Sequence, residues 1–156
     1  MTYGDIVKSV TATLKSLFPN HNIYSIARVE KLVRPAFFFS IKPVIVEASN
    51  LRTRHNMLSL YIDYFQAVKD EVNLYDTVTK IRDALGWSYP VTVVKDKTEQ
   101  VERVDITEFD WDFVGSERNI VEMNITLEYF DTIDNDEHAE LIEDVDVTYK
   151  VKEVYV

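Results

Sequence analysis

The residues of this sequence that could carry chemistry are mainly carboxylates. Glu108, Asp110 and Asp112 alternate with aromatic residues, so on a strand they share one face, about 7 Å apart. Paired carboxylates at comparable separations perform glycoside hydrolysis. Like charges on an exposed strand are also ordinary solvated surface, and no nearby residue is a plausible acid catalyst with a raised pKa. We therefore interpret the three as part of an acidic surface.

Metal sites and activated nucleophiles are equally poorly supported. His21, His55 and His138 are far apart, and the chain has no cysteine, so the usual zinc ligands are missing. The run 131–137 could offer carboxylates to calcium, but it lacks the glycine that an EF-hand loop has at its sixth position. There is no Gly-x-Ser-x-Gly elbow and no glycine-rich phosphate loop. We predict that the protein is not an enzyme and uses no metal or cofactor.

The composition predicts one soluble domain. At 156 residues the chain has the length of an ordinary single domain. The lack of cysteine suits a reducing cytoplasm. No apolar run approaches the roughly 18 residues that a membrane span needs. Charged residues interrupt the first 17 positions, so we also expect no signal peptide and no membrane association.

Charge is unevenly distributed along the chain, whose net charge is −10. Residues 1–65 carry eight Lys or Arg against four Asp or Glu, whereas residues 66–156 carry nine against 23. Phosphate contacts need clustered Lys and Arg, so the acidic total argues against sequence-specific nucleic-acid binding. The asymmetry predicts a subunit with a basic side and an acidic side.

The first half of the chain predicts an amphipathic helix, with Thr2 as its N-cap, followed by strands. A short strand is expected over residues 22–26. Residues 35–41 and 57–65 then alternate in side-chain character and should pair as an antiparallel hairpin. The stretch between them, residues 44–56, has no apolar period, so we expect an exposed and mobile loop.

The second half predicts another helix and further strands. Asn73 is the expected N-cap of this helix, and Gly86 is expected to end it. Strands are predicted over residues 90–94, 101–107, 108–114 and 120–130. The predicted fold class is therefore α+β: a mixed, largely antiparallel sheet with two amphipathic helices packed on one face, plus a C-terminal acidic β extension.

Apolar residues on the inward faces of these elements should meet in one core. We expect the core between helices and sheet to contain Leu14, Phe37, Phe39, Leu60, Ile62 and Leu85. The alternating aromatic residues Phe109, Trp111 and Phe113 are also more typical of core than of a binding platform.

The end of the chain differs in character from the rest. We divide the chain into one α+β domain, residues 1–130, and an acidic linker with a C-terminal strand, residues 131–156. Residues 145–151 alternate apolar and polar side chains, as a strand does. The linker could span roughly 40 Å when extended. The last strand could therefore complete its own sheet or be exchanged with a neighbouring molecule.

Several short motifs occur in a distinctive order in the first 65 residues. A helix ending in Phe18-Pro19 is followed by Asn22-Ile-Tyr-Ser, Arg34-Pro-Ala-Phe-Phe-Phe and Tyr61-Ile-Asp-Tyr-Phe. This order and spacing resemble the tail terminator (tail completion) proteins of phages from Gram-positive hosts and of phage-like particles. The similarity covers about residues 3–90.

The resemblance implies a structural protein of the virion. Such a protein caps the finished tail tube as a ring, commonly a homohexamer, stops tail elongation and offers the head–tail joining surface. The implied partners are tail-tube proteins, sheath proteins where the tail is contractile, and head-completion or connector proteins. The implied location is the virion tail–neck junction, after synthesis in the host cytoplasm.

A ring of two-sided subunits could close by pairing the basic side of one copy with the acidic side of the next. We predict that the subunit or partner interface draws on both sides and on the C-terminal strand. Its predicted residues are Arg28, Lys31, Arg34, Arg52, Arg54, Glu108, Asp110, Asp112, Tyr149 and Val151.

Two other functions fit the same residues. An acidic DNA mimic or regulatory protein would block a basic partner by electrostatic complementarity, and the acidity of residues 99–146 favours it. A small-molecule-binding α+β module would line a pocket with Trp111 and neighbouring aromatic residues. Either would be a compact monomer, in contrast to a ring.

Overall fold

A computed structural model describes residues 1–24 and 32–132 of the chain. These residues form two helices and six strands. In chain order they are α1 (Tyr3–Leu17), β1 (Asn22–Tyr24), β2 (Ala36–Ala48), β3 (Thr53–Phe65), α2 (Glu71–Leu85), β4 (Ser88–Lys95), β5 (Thr98–Val114) and β6 (Ile120–Thr132).

The six strands form one mixed sheet in the order β1-β2-β3-β6-β5-β4. β1 runs parallel to β2, and the other four neighbouring pairs are antiparallel. The hairpins β2–β3 and β4–β5 lie on either side of β6, which pairs with both. This architecture confirms the predicted α+β class. The predicted C-terminal strand lies outside the described residues.

The first helix begins where the sequence predicts. Thr2 and Asp5 form a capping box, in which the Thr2 hydroxyl accepts from the Asp5 amide at 3.2 Å and the Asp5 carboxylate accepts from the Thr2 amide at 2.8 Å. Ile6, Val10 and Leu14 recur at helical spacing and are buried against the sheet. Among the described helices, neither is long and apolar enough to cross a membrane.

The start of the second helix corrects the prediction. The N-cap is Asp70, whose carboxylate accepts from the Asn73 amide at 3.1 Å. Asn73 lies inside the first turn, where its side-chain oxygen accepts from Tyr64 and Gln66 and ties the helix to β3. Gly86 ends the helix with a φ of 62°, which glycine adopts without strain, as predicted.

One face of the sheet packs against both helices and forms the core. The six predicted core residues are all at most 3% exposed, which confirms that prediction. Paired positions across the strands continue the same face, as in the row Phe39, Ile62, Met123 and Trp111. Phe109, Trp111 and Phe113 are partly buried and pack against the edge of this core.

The predicted loop over residues 44–56 is wrong. β2 continues to Ala48 and β3 begins at Thr53, so the connection is only residues 49–52. A β-bulge between Pro43 and Ile45 carries the strand past the proline. No apolar period is visible because every β2 residue from Lys42 onward is exposed. In this exposed part, β2 is held by backbone hydrogen bonds to β3 and no longer packs against the core.

The two predicted strands over 101–107 and 108–114 are one strand, β5. A β-bulge lies between Ile106 and Glu108. The inward positions are even-numbered before it, as at Val104, and odd-numbered after it, as at Trp111. One inserted residue therefore reverses the alternation without ending the strand.

Candidate interaction surfaces

The face of the sheet opposite the helices is strongly acidic. Glu108, Asp110 and Asp112 all lie on it, because the residues between them point to the core. Four further carboxylates from neighbouring strands join them. The resulting set, named the acidic face below, is Asp63, Asp105, Glu108, Asp110, Asp112, Glu122 and Glu128. Lys42 on β2 and Arg103 on β5 lie at its margins.

Strand pairing places carboxylates of three strands side by side. Glu122 of β6 is the direct partner of Asp63 on β3 and of Asp112 on β5. Directly paired residues have Cα atoms about 4.5–5.5 Å apart, so the three acids form a row across the sheet. Sequence reasoning missed this row because its members lie in different strands. The sequence did indicate, through the alternation of β3 and β6, that Asp63 and Glu122 point away from the core.

Asp63 is the most perturbed acid of this face. Burial, and secondly the neighbouring charge of Glu122, together raise the pKa of its carboxyl to about 6. The Asp63 Oδ1 and Asn124 Oδ1 atoms are buried and have no hydrogen-bond partner within the described part of the chain. Both atoms are acceptors, so a covering surface that supplies donors would stabilise them.

The acidic face has the character of a docking surface for cations. Glu122, Asp110 and Asp112 are exposed. Within residues 1–24 and 32–132, no three His, Asp or Glu side chains are grouped so that they could hold a metal ion. A row of solvated carboxylates binds Lys and Arg of a partner by electrostatic complementarity.

The predicted basic residues do not form one cluster. Arg34 precedes β2, donates to the Gln66 carbonyl oxygen at 3.2 Å and lies over the Phe65 ring at 5.5 Å. Arg52 and Arg54 lie at the opposite end of the β2–β3 hairpin, about 40 Å away by strand length. Arg28, Lys31, Tyr149 and Val151 are outside the described residues.

Arg52 lies in the turn at that end and is exposed. Its amide donates to Asn50 Oδ1 at 2.9 Å, which shapes the turn. Arg54 forms a two-pronged ion pair with Asp131 on β6, at 3.1 and 2.6 Å. Asp131 holds the pKa of Arg54 above its ordinary value, and Arg54 holds the pKa of Asp131 below its own. Arg54 therefore joins β3 to β6 within the subunit.

His55 connects three strands at the same end of the sheet. Its ring nitrogens contact Glu47 on β2 at 3.2 Å and Glu128 on β6 at 2.5 Å, and its ring stacks on Phe130. Hydrogen bonds to Glu47 and then Glu128 raise the pKa of the imidazole. Sequence reasoning considered this histidine only as a zinc ligand. Its partner Glu47 lies in a part of β2 that was not predicted to be strand, whereas Glu128 lies in the strand predicted over residues 120–130.

The β4–β5 side of the sheet ends in backbone that is already occupied. Pro90 has no N–H to offer a further strand, and the Thr92 amide donates to the Ser9 hydroxyl of α1 at 3.2 Å. Beyond β4, the amides of Trp111 and Phe113 donate to the carboxylates of Asp110 and Asp112, at 2.8 and 2.7 Å. These devices oppose the addition of another strand.

The β2 side is open. β1 covers β2 only over residues 36–38. From Phe39 onward the outer edge of β2 has no partner strand among the described residues. The last part, residues 44–48, lies beyond Pro43 and is named the β2 tip segment. Its Val44, Ile45 and Val46 are 52%, 38% and 49% exposed.

The aromatic residues of β5 pack within the subunit. Trp111 and Phe113 meet at 5.7 Å, edge to face, and Tyr75 of α2 makes the same type of contact with both. Arg118 lies over the Phe113 ring at 4.2 Å. This arrangement closes the end of the core beside α2.

Comparison with known proteins identifies the family. A family model described as "Phage tail terminator protein" matches residues 5–139. No curated protein matches the sequence. One solved structure superposes with a TM-score of 0.51 at 10% sequence identity, over 85% of this chain and 96% of the other, a likeness that concerns the fold alone. Because the family match spans most of the sequence, the chain belongs to the phage tail terminator family.

Proposed function

We propose that the protein assembles into a ring, commonly of six copies, that caps the finished tail tube at the virion's tail–neck junction. The ring ends tail elongation and offers the surface that head-completion or connector proteins join. The observation that carries this proposal is the family match over residues 5–139, which makes the protein a structural component of phage tails.

The acidic face supplies a physical basis for a closed assembly of identical subunits. Its seven carboxylates share one side of the sheet. Two buried acceptor atoms on this side, Oδ1 of Asp63 itself and Oδ1 of Asn124, lack donors within the described residues. A neighbouring copy would supply cations to this side. A contact between the acidic face of one copy and cations of the next joins two different sets of residues, so it is heterologous and can close into a ring.

The cations that we assign to this contact are Arg34 and Arg52, together with Arg28 and Lys31. Arg34 and Arg52 are exposed. Arg54 acts within its own subunit through Asp131 and would hold this end of the sheet in shape. Each exposed ion pair contributes only about 0–1 kcal/mol, so the contact needs several of them.

The proposal is tested first by the shape of the purified full chain. Negative-stain electron microscopy and native mass spectrometry should find rings of defined subunit number. In particles that lack the protein, tail length should become irregular and heads should fail to join. A compact monomer that binds a basic protein would instead support the DNA-mimic function. A monomer that binds a small molecule would support the function of a small-molecule-binding module.

Charge reversal tests which residues form the contact. The variant Arg34→Glu with Arg52→Glu should lower the fraction of rings, and reversing Glu108, Asp110 and Asp112 to Lys in the same chain should restore part of it. The matched control reverses Lys8 and Lys15 to Glu, which changes charge equally on the exposed side of α1. Rings that withstand the arginine reversals at all salt concentrations would contradict the assigned contact.

A further inference from the structure

We propose that the β2 tip segment, residues 44–48, accepts residues 145–156 of a second copy of this chain as an added strand. This inference rests on the proposed oligomer and names how one copy holds the next. Strand addition to an open sheet edge joins chains by backbone hydrogen bonds, while alternate side chains enter surface pockets.

The contrast between the edges of the sheet selects the acceptor. On the β4–β5 side, Pro90, the Ser9 hydroxyl and two aspartate side chains occupy or remove the edge amides. The β2 tip segment has no such device within the described residues. Its exposed Val44, Ile45 and Val46 would also give an added strand an apolar surface.

The donor is selected by its sequence and by where the described chain ends. Residues 145–151 alternate Val, Val, Tyr and Val with polar residues, which is the pattern of a strand with one apolar side. The described chain ends at Thr132, whose strand partner is Thr53, immediately after the turn that follows the β2 tip segment. The donor is therefore tethered close to the hairpin end of its own subunit.

The length and charge of the tether favour a neighbouring copy over the same chain. Reaching its own β2 edge means crossing two strands, about 10 Å, whereas the twelve residues 133–144 reach roughly 40 Å. Connections within a sheet are usually only 2–6 residues. The tether is also acidic, and Glu128 and the other carboxylates of the acidic face disfavour a path of the same chain over that face.

The chain has no cysteine, so introduced thiols can test this contact without background. Two differently tagged full-length chains are co-expressed, one carrying Val46→Cys and the other carrying Val147→Cys, Tyr149→Cys or Val151→Cys. A short bis-maleimide crosslinker is then added. We expect a crosslinked species that contains both tags. The matched control replaces Val46→Cys by Val94→Cys, a valine that is more exposed than Val46 and lies on the occupied β4 edge, and should give no such species.

The outcomes separate strand addition from ring formation. A two-tag crosslink at Val46 but not at Val94 supports the added strand, whether or not rings are seen. Rings without that crosslink overturn the added strand and leave the ring proposal standing. A crosslink confined to one chain in the variant carrying both Val46→Cys and Val151→Cys assigns the segment to its own sheet and overturns the exchange, as does equal crosslinking at Val94.

Discussion

Ile62 and Asp63 are adjacent in β3, yet they lie in opposite environments on the two faces of one sheet. Ile62 is fully buried beneath the helices, whereas Asp63 lies among the carboxylates of the acidic face. The same contrast separates two histidines. His21 packs with Phe18 and Phe37 on the helix side, and burial lowers its pKa, whereas hydrogen bonds to carboxylates raise the pKa of His55.

This difference indicates which face of the sheet stabilises the subunit and which face is available to partners. The covered face buries apolar area, which is the dominant favourable term in folding. The acidic face gathers like charges and two acceptor atoms without described partners. It contributes little to subunit stability and much to the choice of partner. Changes to the two faces should therefore have different consequences.

The largest expected effect is on the covered face. Ile62→Ala removes buried methyl groups and should lower the free energy of unfolding by roughly 2–5 kcal/mol, because the tightly paired strands cannot close the cavity. Chemical denaturation of the monomer measures it. Asp63→Ala is the matched control on the other face and should not show a loss of that size. Equal losses for both variants would contradict the division between the faces.

The next effect is on assembly. Neutralising the acidic face with Glu108→Gln, Asp110→Asn and Asp112→Asn keeps the side-chain acceptors at the β5 edge but removes three charges, so rings should dissociate at lower salt concentration. The expected loss is about 0–1 kcal/mol for each exposed pair. Light scattering across a salt series measures the dissociation.

A matched control neutralises three exposed acids outside the acidic face, Asp76→Asn, Asp83→Asn and Asp96→Asn. Its rings should dissociate at the salt concentration of the unmodified protein, and the subunits of both triple variants should melt alike. If the control dissociates as readily as the first variant, total charge rather than the acidic face governs assembly.

A smaller effect concerns Asp63 and pH. Its pKa is raised from 3.8 to about 6 in the folded state, so its favourable contribution is present below about pH 4 and is lost as pH rises through 6. For a fully buried group, a shift of this size would change the free energy of unfolding by about 3 kcal/mol between low and high pH. Solvent around the half-exposed Asp63 reduces that to roughly 1 kcal/mol.

Asp63→Asn should therefore stabilise the monomer near neutral pH and leave it little changed at pH 4. Thermal melting of the variant and the unmodified chain across this range measures the difference. The exposed Asp76→Asn serves as control and should show no such pH-dependent gain. A constant difference between Asp63→Asn and the unmodified chain at every pH would show that the carboxyl does not titrate as described.

The smallest effect distinguishes the two histidines. The raised pKa of His55 means that its stabilising contribution is full below about pH 6.5 and fades as pH rises through the folded value. His55→Gln should therefore destabilise more at pH 6 than at pH 8. His21 has a lowered pKa, so His21→Gln should give the opposite trend. Parallel pH profiles for both variants would contradict this account.

Local signals predicted the elements that lie over the core. The Thr2 cap, the Gly86 stop and the apolar residues of both helices and of β3 were sufficient to predict the α+β class and the six core residues named above. Each of these signals depends on neighbouring residues or on burial of one face. The hydrophobic period was therefore informative wherever one face was covered.

Prediction failed where a strand left the core or changed its alternation. The end of β2 has no covered face, so residues 44–48 carried no period, and the bulge after Ile106 made one strand look like two. The acidic row of Asp63, Glu122 and Asp112 depends on the register of three strands, two of them far apart in sequence. Such long-range pairing is set by tertiary structure, which local patterns do not encode.

The central position of β6 also determines when the sheet can be completed during synthesis of the chain. β6 is the last described strand to leave the ribosome, yet it joins the hairpin β2–β3 to the hairpin β4–β5. Until it emerges, the inner edges of β3 and β5 lack their partner strand, and the apolar side chains of both hairpins lack the neighbours that β6 supplies. Contacts that span so much of the chain form slowly. A subunit therefore cannot complete its core before its 132nd residue is made, and the surfaces built on that sheet become available for assembly only afterwards.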